Sequence, residues 1–273
     1  MGDFADQTAV APVDGAPGHF TAQVSEDWAI WGPNGGYLTA IALRAAGAVA
    51  AIPRPASLTT HFLRTPQFAP VDLAVEVVHA GRRSESLRIA MSQDGKPVLV
   101  SMLRTAAEGP GLAHRSDAPD VPGPETLKCY EELASPDWPR FRFWSNLEVR
   151  FTEPERLAER KPYPPYLRDW HRFRPRAAFP DRWIDAGRLA LLIDTMGWPA
   201  AGQPHVNSGF IAPSIECSVA FHDFDPDGEW LLSDQVSPVA AGGLVAAHGR
   251  VWSRDGRLLA SGGVQMLCAP ASR

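Results

Sequence analysis

A block of strand-like segments occurs twice along the 273-residue chain, in the same order each time. The first copy runs from Ser57 to Thr105, and the second from Ser214 to Cys268. Apolar and polar side chains alternate within these segments, as in β-strands with one buried face. An Asp-Gly pair, which predicts a hairpin turn, separates the last two segments of both copies, at Asp94 and Asp255. The chain is therefore constrained to fold as two similar units.

A single predicted helix precedes each block. The two helices cover residues Gly35 to Ala51 and roughly Asp185 to Trp198, each with an apolar face and a proline just beyond its end. One helix for every four strands favours an α+β fold, in which an antiparallel sheet wraps around a helix, over a parallel βαβ fold.

The composition changes between the two blocks. Residues Glu108 to Pro124 are rich in Pro, Gly, Ala and Asp, which is typical of a linker. We therefore predict an N-terminal unit over residues 1–107, a linker over 108–140 and a C-terminal unit over 141–273.

Charge and cysteine content restrict the partners and the compartment. A formal net charge of −5 is too mild to indicate nucleic-acid binding. No stretch is long and apolar enough to span a bilayer, and the start of the chain lacks the pattern of a signal peptide. The three cysteines show neither metal nor redox spacing. We expect a cytoplasmic protein that needs no metal and no cofactor and binds neither nucleic acid nor membrane.

Several short motifs, in this order and spacing, carry a resemblance to a known family. They are Trp31-Gly32-Pro33-Asn34-Gly35-Gly36-Tyr37, Thr60 to Pro66, Gln93 to Pro97, Leu191 to Asp194, Ser214 to His222 and Gly256 to Ser261. From Phe20 to Cys268 the chain resembles the acyl-CoA thioesterase II-like group. The resemblance implies a double hotdog, two tandem repeats that each wrap an antiparallel sheet around a long central helix. It also implies that the substrate is an acyl-CoA, hydrolysed to a free acid and CoA.

The same resemblance implies that Asp194, Ser214 and Gln265 position the attacking water. Asp194 lies in an apolar stretch of its helix, where burial would raise its pKa and suit it to act as a general base. No Gly-x-Ser-x-Gly motif surrounds Ser214, so we do not interpret it as a nucleophile. The family's glutamine falls at Val264 here, one position before Gln265, and a one-residue offset reverses the direction of a strand side chain unless a bulge at Gly262-Gly263 restores it.

Substrate contacts are predicted at the start of the first helix and on the strand after it. Free N–H groups at Asn34, Gly35 and Gly36 could polarise the thioester oxygen, although Asn34 is equally suited to a plain helix cap. His61 is a candidate acid or base, or a half-buried histidine with no catalytic role.

Two other functions are open from the sequence. One is non-catalytic binding of acyl-CoA, which the offset of Gln265 favours. The other is dehydration of 3-hydroxyacyl thioesters, for which only His61 is an attractive residue and no acid is clearly paired with it. Because long sheet edges need covering, we also expect a homodimer or a larger homo-oligomer.

Overall fold

Twelve strands form one antiparallel sheet in the computed structural model, which describes residues 1–133, 141–158, 161–206 and 208–271. Fourteen strands occur in the described residues: β1 (Ala11–Pro12), β2 (His19–Gln23), β3 (Pro55–Phe62), β4 (Pro70–Ala80), β5 (Ser84–Gln93), β6 (Lys96–Ala106), β7 (Leu147–Phe151), β8 (Tyr166–Phe173), β9 (Phe210–Ile211), β10 (Ser214–Phe221), β11 (Trp230–Ala241), β12 (Leu244–Ser253), β13 (Leu258–Leu267) and β14 (Ala269–Pro270). The two that are not in the large sheet, β9 and β14, pair with each other. The α-helices are α1 (Phe4–Gln7), α2 (Gly35–Gly47), α3 (Tyr130–Leu133), α4 (Glu155–Ala158), α5 (Arg182–Thr195) and α6 (Gly197–Gly202).

The order of the strands in the sheet reflects the sequence repeat. It reads β1-β2-β4-β5-β6-β3 through the first half of the chain and β10-β13-β12-β11-β8-β7 through the second. The halves join where β3 pairs with β10, and Thr59 lies opposite Ser218. One long helix, α2 or α5, belongs to each half. The double-hotdog arrangement predicted from the sequence is therefore confirmed.

Hairpin turns form where the Asp-Gly pairs predicted them. Asp94 and Gly95 have φ angles of 52° and 72°, and Gly256 has a φ of 82°. At Asp94-Gly95, two successive residues with positive φ match the right-handed twist of the strands that they join, whereas in the second turn only Gly256 has a positive φ. These turns fix the register of β5 with β6 and of β12 with β13.

The central helices α2 and α5 lie against each other in opposite directions. A Cβ atom at Gly36 would lie 2.6 Å from the Cα of Leu191, and one at Gly187 would lie 3.0 Å from the Cβ of Ala40. Glycine at these positions permits the two backbones to approach closely. As a result, the amino end of α2 lies beside the carboxyl end of α5.

The helix bounds differ from the prediction at three ends. Helix α2 stops at Gly47, before Ala51. Helix α5 begins earlier because the Asp181 carboxylate accepts hydrogen bonds from Trp183 N and Ile184 N. It ends at Thr195 because Pro199 has no N–H to donate to the carbonyl group of that residue. Pro199 instead lies in the first turn of α6, where a helix tolerates proline. In the described ranges, no helix combines the length and the apolar character that crossing a bilayer would require.

Candidate active site

A cleft of about 460 Å³ lies where the amino end of α2 meets the carboxyl end of α5. Its walls come from both halves of the chain, and they include Trp31, Asn34, Gly35, Phe62, Arg64, Asp194, Thr195, Trp198, Ser214 and Met266. The indole rings of Trp31 and Trp198 meet edge to face, with 6.0 Å between their centroids. The cleft is therefore mainly apolar, with a small group of polar atoms at the helix ends, as is typical of small-molecule sites.

Asp194 is the buried acid of the cleft, with 3% of its surface exposed. Its Oδ2 accepts a hydrogen bond of 2.7 Å from the Gly36 N–H, and its Oδ1 has no hydrogen-bond partner in the described residues. Burial raises the pKa of Asp194 to about 6, and the nearby Ser214 hydroxyl and Gly36 N–H offset part of the rise. A carboxyl group with this pKa is ionised near neutral pH and is a stronger base than an exposed aspartate.

The start of α2 combines helix capping with a free donor. Asn34 Oδ1 caps the helix through Tyr37 N at 2.9 Å, and Asn34 Nδ2 donates to Thr195 Oγ1 at 3.0 Å. The Gly35 N–H donates to no acceptor within the described ranges, and Gly35 lines the cleft. A Cβ atom here would lie 2.9 Å from Asp194 Oδ2 and 3.0 Å from the Phe62 ring. With glycine at this position, the Gly35 N–H can lie beside the carboxylate without an acceptor in the described residues.

Ser214 lines the cleft at the start of β10, close enough to Asp194 to affect the pKa of that group. Gln265 is not in the lining. It pairs across the sheet with Glu216, whereas Met266 pairs with Ser214 and lines the cleft. A bulge does occur here, but between Ser214 and Glu216 on β10 rather than at Gly262-Gly263. The structure thus brings Asp194 and Ser214 together and does not bring Gln265 to them.

His61 is also outside the cleft. It is an exposed residue of β3, paired with Glu216 and Val100, and its neighbour Phe62 is the residue that lines the cleft. Successive side chains on a strand point to opposite faces of the sheet. Because Phe62 points into the cleft, His61 points away from it.

Neither Ser214 nor Cys217 has the surroundings of a catalytic nucleophile. Among the described residues, no histidine lines the cleft beside Ser214. Burial raises the pKa of the Cys217 thiol well above its ordinary value, so the thiol stays protonated. Within the described part of the chain, no cluster of three or more His, Cys, Asp or Glu could hold a metal ion. The polar groups of the cleft are suited to activating a water molecule at a carboxylate.

The other end of the helix pair is closed. Counting from the first residue of each helix, Trp183 of α5 corresponds to Gly36 of α2, and Gly47 corresponds to Asp194. A Cβ atom at Gly47 would lie 2.6 Å from the Trp183 indole. The ring fills the space that the cleft occupies at the opposite end, and glycine replaces the acid. In the part of the chain that the structure describes, the helix pair therefore has such a site at one end and not at the other.

Sequence reasoning missed two polar residues near this region. Thr195 accepts a hydrogen bond from Asn34. The sequence feature that could have indicated it is its position directly after Asp194 at a helix end. Asp169 is buried on β8, and its signal is that it interrupts the apolar face formed by Leu167 and Phe173. Neither signal by itself indicates a site.

Two family models match successive parts of the chain. The acyl-CoA thioesterase N-terminal domain matches residues 24–106, and the acyl-CoA thioesterase C-terminal domain matches residues 116–266. The chain is 27% identical to the mouse acyl-coenzyme A thioesterase 8 over 222 residues, which cover 74% of this chain and 69% of the mouse protein.

Solved structures share the whole fold. A tesB protein of Mycobacterium avium subspecies paratuberculosis superposes with a TM-score of 0.79 at 25% identity, covering 98% of both chains. An acyl-CoA thioesterase II of Mycobacterium marinum superposes with a TM-score of 0.80 at 21% identity, covering 99% of both chains. The second likeness is one of fold alone.

Proposed function

Because the chain belongs to the acyl-CoA thioesterase II family of thioester hydrolases, with the N-terminal and C-terminal domains in tandem, we propose that it hydrolyses acyl-CoA in the cleft between α2 and α5. The observation that carries the proposal is the buried Asp194 carboxylate, which has one oxygen held by a helix N–H and the other without a partner in the described residues. A buried polar atom without a partner is costly, so such an atom in a cleft indicates a ligand or a reactant.

The reaction requires few groups. A water molecule at Asp194 Oδ1 gives up a proton to the carboxylate as its oxygen attacks the thioester carbon. The Gly35 N–H, at the positive end of α2, stabilises the negative charge that develops on the carbonyl oxygen. The C–S bond then breaks, and the proton passes from Asp194 to the departing thiolate of CoA. Ser214 orients the water or the carboxylate.

The CoA moiety of a bound substrate would extend out of the cleft across its exposed rim. Arg64 follows β3 there, is exposed and lines the cleft. A guanidinium at this place is suited to contact a CoA phosphate, since its planar group of donors matches phosphate oxygens. Arg82 and Arg83 come directly before β5 and do not line the cleft.

The test is a pH-resolved hydrolysis assay over short, medium, long and aromatic acyl-CoAs, with the released thiol as readout. For the acyl groups that turn over, kcat/KM should rise with pH through about 6, where Asp194 ionises, and then level off. Below that range the rate should fall about tenfold per pH unit. A rate that does not change between pH 5 and 7 would exclude Asp194 as the base.

A non-catalytic acyl-CoA binder is the second candidate, and the position of Gln265 outside the cleft lining favours it. Tight binding of a CoA thioether, with no turnover of the matching thioester, would select this candidate. Dehydration gains no support, because His61 is exposed and outside the cleft lining.

We infer that two or more copies of the chain assemble. The outermost strands of the sheet, β1 and β7, are only two and five residues long. The support comes instead from the exposed Val239, Leu244 and Leu267, which lie at or near ends of β11, β12 and β13. Light scattering after gel filtration should give at least twice the mass of one chain. A single-chain mass at micromolar concentration would contradict the inference.

A further inference from the structure

A second cavity lies against the wall of the cleft. Its volume is about 250 Å³, and it shares Phe141, Trp144 and Pro199 with the cleft lining. Met196, two residues after Asp194, also lines it. We name this cavity the side pocket. Because the two cavities share these lining residues, the acyl part of a substrate held in the cleft can extend into the side pocket.

The side pocket is mostly apolar. Phe151 and Leu167 are further lining residues, together with the aromatic rings that it shares with the cleft. An apolar cavity of about 150 Å³ is large enough to hold benzene. The side pocket therefore has room for a substituted ring or a short alkyl chain.

One buried acid breaks the apolar lining. Asp169 on β8 is 1% exposed, and neither of its carboxyl oxygens has a hydrogen-bond partner in the described residues. It lines the side pocket and not the cleft, which places it away from Asp194. Arg156, the nearby cation in the lining, forms an ion pair with Glu153 and stacks over the Tyr166 ring at 3.8 Å. Asp169 is thus a polar group that the described protein leaves unsatisfied.

The protonation of Asp169 determines which partner it accepts. Burial raises the pKa of this carboxyl well above its ordinary value, Glu153 raises it further, and Arg156 lowers it. The neutral form has one O–H donor and a carbonyl acceptor. A hydroxyl group matches both, whereas a methyl end leaves Asp169 unpaired.

We propose that the side pocket receives the distal end of the acyl group and that Asp169 favours acyl groups with a neutral hydroxyl at that end. This inference rests on the proposed hydrolysis in the cleft. The substrates are then hydroxyl-bearing acyl-CoAs, and Asp169 determines the specificity.

The test compares matched pairs of thioesters on the full chain. One pair is para-hydroxyphenylacetyl-CoA and phenylacetyl-CoA, and the other is ω-hydroxyhexanoyl-CoA and hexanoyl-CoA, so that a ring is distinguished from a chain. In at least one pair, kcat/KM for the hydroxylated member should be about tenfold higher or more, because sites built around a hydroxyl reject analogues without it. Equal values within both pairs would overturn the proposal.

Three variants assign the preference to Asp169. Asp169→Leu should abolish it, whereas Asp169→Asn, which can still donate and accept, should retain most of it. His171→Leu is the matched control: His171 lies on the same face of β8, and both of its buried ring nitrogens have no partner in the described residues, but it does not line the side pocket. The ratio should be unchanged in that variant. A preference that survives Asp169→Leu would refute the role of Asp169.

Binding separates this inference from the proposed function. If no thioester is hydrolysed, calorimetry with the corresponding CoA thioethers measures the preference directly. Tighter binding of the hydroxylated thioether to the wild type, lost in Asp169→Leu, would support the side pocket even though hydrolysis had failed. Equal binding would overturn the side pocket alone. Thermal melting shows which variants are folded, and Asp169→Ala, which also lacks a hydrogen-bonding group, replaces Asp169→Leu if that variant does not fold.

Discussion

Replacing Asp194 with asparagine is expected to lower kcat for acyl-CoA hydrolysis by about 10² to 10⁴-fold, the usual contribution of a general base. The amide oxygen can still accept the hydrogen bond that Gly36 N–H donates to Asp194 Oδ2. The variant therefore removes basicity while it preserves the link between α2 and α5. Steady-state assays at pH 8 with the best acyl-CoA of the wild type measure the effect.

The same substitution should make the protein more stable at alkaline pH. The pKa of Asp194 is raised from 3.8 to about 6 in the folded chain, so the folded state binds the proton more tightly than the unfolded state. The stability from this protonation is fully present below pH 3.8 and is lost as the pH rises through about 6. At pH 8 the charged form costs up to about 3 kcal/mol, which Asp194→Asn avoids.

Urea unfolding at pH 8 and at pH 4 tests this linkage. The gain in the free energy of unfolding should be largest at pH 8 and small at pH 4. Asp72→Asn, an exposed substitution on β4, is the control that should change neither stability nor rate. If Asp194→Asn keeps more than a tenth of the wild-type rate, Asp194 is not the base.

Replacing Arg188 with leucine is expected to lower the free energy of unfolding by about 3–5 kcal/mol, the cost of breaking a buried ion pair. Arg188 and Asp185 are both 0% exposed and pair within α5. The guanidinium also donates to the carbonyl oxygens of Ala177, Gly228 and Asp225. Arg188→Leu therefore leaves the buried Asp185 carboxylate with the Asp225 N–H as its one remaining donor in the described residues, and it removes one donor from each of the three carbonyl groups.

Two further variants show how much of the loss comes from the unpaired buried charge and how much from the loss of an arginine. Arg188→Leu combined with Asp185→Leu should recover part of the loss, because no unpaired charge is then buried. Arg176→Ala removes an arginine that is half exposed and paired with Asp3 and Asp6. It should cost no more than about 1 kcal/mol. A loss in Arg188→Leu no larger than in Arg176→Ala would show that the buried network contributes little to stability.

The repeated architecture could be predicted from the sequence because its causes are local. Alternation of apolar residues requires strands with one buried face, and Asp-Gly supplies the positive φ angles that a tight hairpin needs. Both hairpins and both central helices are where these patterns indicate. The helix ends moved by a few residues, because the Asp181 cap and the effect of Pro199 depend on backbone geometry as well as residue type.

The candidate site was predictable only in part. The family resemblance implies the role of Asp194, and its place beside Leu191, Leu192 and Ile193 indicates a buried acid. The structure places it in the cleft. The directions of His61 and Gln265 could not be predicted. A bulge on β10 and the pairing of Glu216 with both residues determine which neighbours face the helices. Strand direction reverses with every residue, so a single irregularity changes the result.

The sequence by itself determined that the chain forms two units, each with one helix behind an antiparallel sheet, because periodicity and turn chemistry act between residues that are close along the chain. Only the tertiary structure decided that Gly36 bonds to Asp194, that Trp183 fills the opposite end of the helix pair, and that Asp169 lines a pocket beside the cleft. Those contacts join residues from distant parts of the chain. They depend on how closely two helices and a curved sheet approach, and no local pattern encodes that distance.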